Sequence, residues 1–146
     1  MLPKWHVLLG ALFTFVIWLF SQDINPLYLV LAFLSSFLID FDHYVWAAHH
    51  KKNLSLRCAL DYYKKEFPKE LEKDRKNSIR KKYHFHLFHT LEFHILVALL
   101  SFFWIGFFYI LIGMIFHSLT DIVYMMYKDV LHVREFFFFN WLKNKF

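Results

Sequence analysis

The chain has 146 residues, about one domain's worth. Apolar residues make up 58% of it, aromatics 23% and charged residues 20%, with 3 Gly, 3 Pro and one Cys. That composition excludes disordered, collagen-like and disulfide-stapled classes, and a lone Cys58 excludes an internal disulfide or a thiolate zinc cluster. The formal charge of +5 would fit a nucleic-acid partner. Its basic residues instead flank long uncharged stretches, and no aromatic–basic binding motif stands among them, so no nucleic acid is expected.

The first apolar stretch, Trp5–Phe20, carries His6 and no charged side chain. It predicts a helix over about 5–21, short for a full crossing and without the small-residue site of a cleaved signal peptide. Leu27–Ile39 is uncharged and runs into Asp40, predicting a second helix over about 26–47. Ile95–Phe116 is 22 residues without a charge, and its apolar pattern extends from about Phe85 to Tyr127. About 20 helical residues cover the hydrocarbon core, so this span divides in two, at Ser101–Gly106, into helices over about 84–103 and 106–127. The expected fold is an all-α membrane protein, a four-transmembrane-helix bundle forming a single domain.

Between the second and third helices, the connector 48–83 holds 12 of the 17 basic residues. The turns Ser21–Pro26 and 101–106 hold none. By the positive-inside rule the connector and both termini face the cytoplasm, giving a multi-pass protein of the cell membrane. Leu56, Leu60, Tyr63 and Phe67 fall at helical spacing, so the connector reads as an amphipathic cytoplasmic helix on the headgroups, with Pro68 restarting the pattern. The tail 128–146, with Phe136–Phe139, Trp141 and Leu142 beside Lys143 and Lys145, reads as interfacial.

Ionisable residues inside spans are costly and point to function. Here they gather at the cytoplasmic ends of all four helices: His6; Asp40, Asp42 and His43; His84, His86, His89, Glu92 and His94; and His117 with Asp121. Scatter would have placed some at the outer ends, where Asp23 stands alone in its loop. His117 and Asp121, four apart, share a helix face, as do Asp40 and His43, three apart. His84 and His89 are five apart, roughly 140° around an ideal helix. Both point inward only if His84 precedes the helix or the two grip different ions; on geometry alone His86 is the better partner of His89. Such groups also serve as interhelical hydrogen-bond glue or solvated helix ends. Their common depth favours ligands. Imidazole suits first-row metals, and carboxylates neutralise charge and bridge ions. The expected cofactor is a divalent metal, Zn first with Mn or Fe as alternatives, one or two ions. His49, His50 and His132 read as surface groups and His94 as packing.

The order of motifs is His6, then Asp40-Phe41-Asp42-His43, then His84-Phe85-His86-Leu87-Phe88-His89-Thr90, then Gly113-x3-His117-x3-Asp121. It resembles the YdjM-like family of membrane-bound, metal-dependent hydrolases over about residues 5–127. The chain departs from that pattern at Ile39, where the family has Pro. It departs again at Phe85, His86 and Phe88, where the family has Arg, Gly and Thr. The resemblance implies a metal-dependent hydrolase whose metal ligands are His6, Asp40, Asp42, His43, His84, His89, His117 and Asp121. Glu92 or Asp42 would be the catalytic base. Depth at the membrane edge and the basic connector suit an amphiphilic ester or phosphoester, an anionic lipid or a phosphorylated substrate. The alternatives are a non-catalytic metal-binding protein or carrier, and last a haem protein. A carrier needs polar residues through the outer half of the bilayer, which is apolar here. A small bundle of this kind is free to form a homo-oligomer, but no Gly-x3-Gly pattern specifies one.

Overall fold

The computed structural model describes residues 3–82 and 85–145. Among these the chain is helical with no strand. The helices are α1 (Pro3–Phe20), α2 (Pro26–Leu38), α3 (Phe41–Lys51), α4 (Leu56–Asp61), α5 (Phe67–Lys76), α6 (Leu91–Leu100), α7 (Ile105–Tyr127) and α8 (Phe138–Lys145). Three segments are long and apolar enough to cross a membrane: Pro3–Phe20, Pro26–Lys51 and Ile105–Tyr127. Large apolar side chains such as Leu8, Leu12, Phe15, Val30, Ile115 and Leu119 lie exposed on them, the surface of a membrane protein.

The expected fourth span is the main departure. The helix anticipated over 84–103 contracts to α6, preceded by a 3-10 turn at Leu87–His89. Ten residues rise about 15 Å, half of a hydrocarbon core of about 30 Å. The cause is local. Thr90 caps α6, its hydroxyl accepting from the Phe93 N–H, so the helix cannot start earlier. His86 ahead of it is extended backbone. The expected helix 26–47 is also interrupted. α2 stops at Leu38, Ile39 and Asp40 form a turn, and α3 carries on to Lys51. At its other end Asn25 caps α2 on the Leu27 N–H and Pro26 takes the first helical position, where its missing N–H costs nothing.

α2 and α7 run side by side in the same direction. Tyr28 stacks on Tyr109, Gly113 meets Ala32, and His117 meets Ser36. α1 runs antiparallel to α2, with Gly10 against Ser36. Both glycines are there for close approach. A Cβ on Gly113 would lie 2.2 Å from the Ala32 carbonyl oxygen, and one on Gly10 would lie 2.0 Å from Ser36 Oγ. Small residues let helix backbones approach in apolar surroundings. They also set register: His6 is one turn before Gly10 and His117 one turn after Gly113, so both rings arrive at the level of Ser36. α6 packs on α7 around Ile39, Val97 and Met114.

The connector folds onto α3 instead of lying free. Ala59 and Tyr62 pack against Ala47, flanked by Tyr63 and Phe67. Of the four residues at helical spacing, Tyr63 and Phe67 pack toward α3, while Leu56 and Leu60 are exposed, as an apolar face turned to headgroups would be. The wider winding of a π-helical turn over Tyr62–Glu66 shifts the register and brings Tyr62 inward. Pro68 does not break the helix. It falls in the first turn of α5, directly after the π turn. The tail is not merely interfacial either. It doubles back so that the Leu91 N–H donates to the Phe136 carbonyl and Trp141 stacks on Phe85.

Candidate metal centre

Four parts of the chain deliver ionisable side chains to one end of the bundle: the start of α1, the α2–α3 bend, the 3-10 turn before α6, and the second half of α7. His117 is fully buried, and His6 (1% exposed), Asp121 (2%) and His89 (4%) nearly so. One ligand atom each from Asp40, His89, His117 and Asp121 lies within 4.8 Å of all the others.

The hydrogen bonds behind His117 and His89 fix the tautomers of those two rings. His117 Nδ1 lies 2.8 Å from the Ser36 carbonyl oxygen, which can only accept, so Nδ1 carries the proton. His89 Nδ1 donates to Asp42 Oδ2 at 3.2 Å. That same oxygen accepts from the Phe88 N–H at 3.0 Å. His6 Nδ1 faces Thr120 Oγ1 at 3.5 Å, and that hydroxyl donates to the His117 carbonyl. In His89 and His117 the outer nitrogen is the donor, so Nε2 of the neutral ring presents a lone pair to the cluster, whereas His6 has an acceptor at each nitrogen, the Thr120 hydroxyl and the Asp121 carboxylate. His89 Nε2 and His117 Nε2 face each other at 3.1 Å. His6 Nε2 lies 3.1 Å from Asp121 Oδ1 and 3.9 Å from Asp40 Oδ2. Lone pairs and carboxylates converging in this way repel unless a cation or protons lie among them.

The dimensions suit a cation. A tetrahedral ion with bonds of about 2.0 Å separates its ligand atoms by about 3.3 Å. Asp40 Oδ1 lies 3.3 Å from His117 Nε2 and 3.5 Å from His89 Nε2, and Asp121 Oδ2 lies 3.7 Å from His117 Nε2. Charge argues the same way. Asp40 and Asp121 share one cluster and Asp42 belongs to the neighbouring one, and among the described residues the fixed cation beside them is the guanidinium of Arg134, on Asp121 Oδ2. A surplus of buried negative charge needs a positive partner.

Asp40 owes its position to the α2–α3 bend. It occupies the capping position of α3, yet its side chain makes no capping bond, so both oxygens stay turned to the cluster. Its Oδ1 also lies 3.5 Å from His43 Nε2. His43 lies against His86, ring centroids 3.6 Å apart and planes tilted by 33°, and His86 Nδ1 is 3.6 Å from Asp42 Oδ1. Asp42, His43 and His86 thus form a second group of converging ligand atoms. The Tyr63 phenol donates to the His43 carbonyl. Burial, then Tyr62 and the carboxylates of Asp42 and Asp40, push that phenol above its ordinary value, so it remains a donor.

The structure therefore brings together His6, Asp40, Asp42, His43, His89, His117 and Asp121. His84 lies outside the described residues. Glu92 does not join them. Its carboxylate accepts from the Phe138 N–H at 2.9 Å and the Phe139 N–H at 3.4 Å, which makes it the cap of α8 rather than a base. It stands in the first turn of α6, on the side facing the returning tail. Asp42 is held as the hydrogen-bond partner of His89, an orienting role. His94 bridges α6 and α7, donating from Nδ1 to the Thr90 carbonyl and accepting at Nε2 from Ser118. His49, His50 and His132 are exposed.

Arg134 is the residue beside the cluster that sequence reasoning passed over. Its only signal was a charged Arg134–Glu135 pair just ahead of the Phe136–Phe139 run. Only the return of the tail, held by the Leu91–Phe136 bond and by Lys82 and Asn140 on Glu135, carries it to Asp121. A cavity of about 590 Å³ at the opposite end of the bundle, between Phe20 and Tyr28 and beside Tyr109, holds Asp23 as its ionisable lining residue and has no part in this site. The chain matches no family model, no curated protein and no solved structure.

Proposed function

We propose that the chain is a membrane-embedded, metal-dependent hydrolase related to the YdjM-like family. Its metal site would sit at the cytoplasmic edge of the cell membrane. In this reading α6 and the turns around it complete a fourth passage, and both termini and the basic connector face the cytoplasm. The observation that carries it is the convergence of His89 Nε2 and His117 Nε2, each with Nδ1 already committed as a donor, upon each other and upon Asp40 and Asp121. A bundle held together by hydrogen bonds alone would pair those atoms with donors. Here they meet one another's lone pairs.

Asp40, His89, His117 and Asp121 would hold the ion, with His6 stacked on His117 as a further donor. The donor set of imidazole and carboxylate fits zinc, with Mn or Fe as alternatives. A divalent ion bound there supplies a Lewis acid and lowers the pKa of a water. The chain's own groups do the rest. Asp42 fixes the tautomer of His89, and the Ser36 carbonyl fixes that of His117. Arg134 offers a buried guanidinium beside Asp121, suited to an ester or phosphoester oxyanion. The lysines and arginines of the connector would draw anionic, amphiphilic substrates to this depth.

The test is elemental analysis of detergent-purified protein, wild type beside Asp40→Ala and His117→Ala. At least one equivalent of Zn, Mn or Fe, lost in both variants, is expected. A screen of ester and phosphoester substrates then separates a hydrolase from a non-catalytic metal-binding protein. Folded wild type that takes up no metal from any of these ions would overturn the reading.

A further inference from the structure

We propose a second cation seat beside the first, formed by Asp42, His43 and His86, which makes the centre binuclear. The inference rests on the metal reading above but concerns different ligands. Asp42 divides its two oxygens. Oδ2 is fully used, accepting from the Phe88 N–H and from His89 Nδ1. Oδ1 is buried and accepts no hydrogen bond among the described residues, and it lies 3.6 Å from His86 Nδ1. A buried carboxylate oxygen without a donor is costly, and a cation is the partner its surroundings offer.

His43 completes the group. Its ligand atom and those of Asp42 and His86 fall within 4.8 Å of one another. Three ligands leave open positions for water or substrate, where the first seat has at least four. The second seat is also less enclosed: the His43 side chain is 23% exposed, against none for His117. It should therefore bind more weakly and exchange faster.

The two seats share their frame. Asp40 Oδ1 faces His43 as well as His89 and His117, so one carboxylate borders both. His89 turns Nε2 to the first seat and Nδ1 to the Asp42 carboxylate of the second. The local backbone explains how His86 reaches in. It is extended, and the 3-10 turn that follows sets His89 three residues on, so the two rings are freed from the angular spacing of an α-helix. Paired ions suit displacement at phosphorus or carbonyl carbon, one holding the attacking oxygen and the other the leaving oxygen.

Apo protein is titrated with Zn(II), and the bound metal counted after desalting; a parallel sample is loaded with Mn(II) for electron paramagnetic resonance. Wild type is expected to take two equivalents, the second at least tenfold weaker, and to give an exchange-coupled Mn(II) signal. His86→Ala is expected to keep one equivalent and to show the uncoupled six-line signal alone. His43→Asn gives the same readout should His86→Ala fail to fold. One equivalent in wild type, unchanged in the variants and with no coupled signal, overturns the second seat and leaves the first standing. No equivalents in folded wild type overturns both.

Discussion

His117 shows how much a single residue's neighbours decide. Its spacing to Asp121 places both on one helix face, which is legible from the chain alone. That its Nδ1 is consumed by the Ser36 carbonyl, leaving Nε2 for the cluster, is visible only in the packing of α2 on α7. Arg134 is the converse case, illegible in sequence and central in space. It is the guanidinium that offsets a carboxylate of the cluster. Removing one member of a buried ion pair typically costs about 3–5 kcal/mol. Arg134→Ala is expected to lower stability by about that amount in metal-free protein and by less once Zn(II) is present, because the ion then supplies the positive charge. Thermal unfolding with and without Zn(II) measures both. An equal loss in the two conditions would separate Arg134 from the metal site.

Among the elements, α2 and α7 are the pair on which the site depends. Their approach rests on Gly113, where a side chain would collide with the Ala32 backbone carbonyl as well as with Ser35 Oγ. Gly113→Leu should cost at least the 1–3 kcal/mol typical of overpacking. It should also abolish metal retention, since His117 is carried one turn further along the same helix. Metal content by elemental analysis decides this; retention at the wild-type level would mean that α2 and α7 do not set the ligand geometry. Glu92 belongs to a different contact. Glu92→Gln removes charge from a carboxylate that caps α8, worth about 1 kcal/mol, and should leave metal content unchanged. Loss of metal in that variant would return Glu92 to the site. The sequence placed Glu92 beside His89 because three residues separate them on an ideal helix. The 3-10 turn and the Thr90 cap break that ideal helix between the two.

Taken as a whole, the molecule closes its site with its own C-terminal tail. Burial pushes the Glu135 carboxyl up, but Lys82 and Asn140 outweigh it and hold the group below its ordinary value. The sign follows from the lowered value. Ionised Glu135 stabilises the docked tail above the ordinary carboxylate range, and that contribution is lost as pH falls through the lowered folded-state value. Hydrogen exchange at residues 136–142 should be slow at pH 7 and accelerate, after correction for intrinsic rates, below about pH 4. Protection unchanged down to pH 3 would show that the tail is held without this ion pair.

What the chain determined by itself is the presence of segments apolar enough to cross a membrane and the placing of its ionisable groups toward one end of them. Uncharged runs such as Trp5–Phe20 and Ile95–Phe116 have no alternative to an apolar environment, and ionisable residues at matching helix ends are already at one level. Hydrophobicity and periodicity are local properties, and they can be read locally. The Thr90 cap that shortens α6 is local too, but it does not show in the periodicity of the apolar residues. Tertiary structure decided which groups meet: Asp40 at the bend faces His89 and His117, and Arg134 reaches Asp121 only because Leu91 and Lys82 hold the tail down. The ligands could be nominated from spacing, but which nitrogen of His117 and of His89 faces the cluster was settled by the backbone carbonyl and the carboxylate that folding placed behind them.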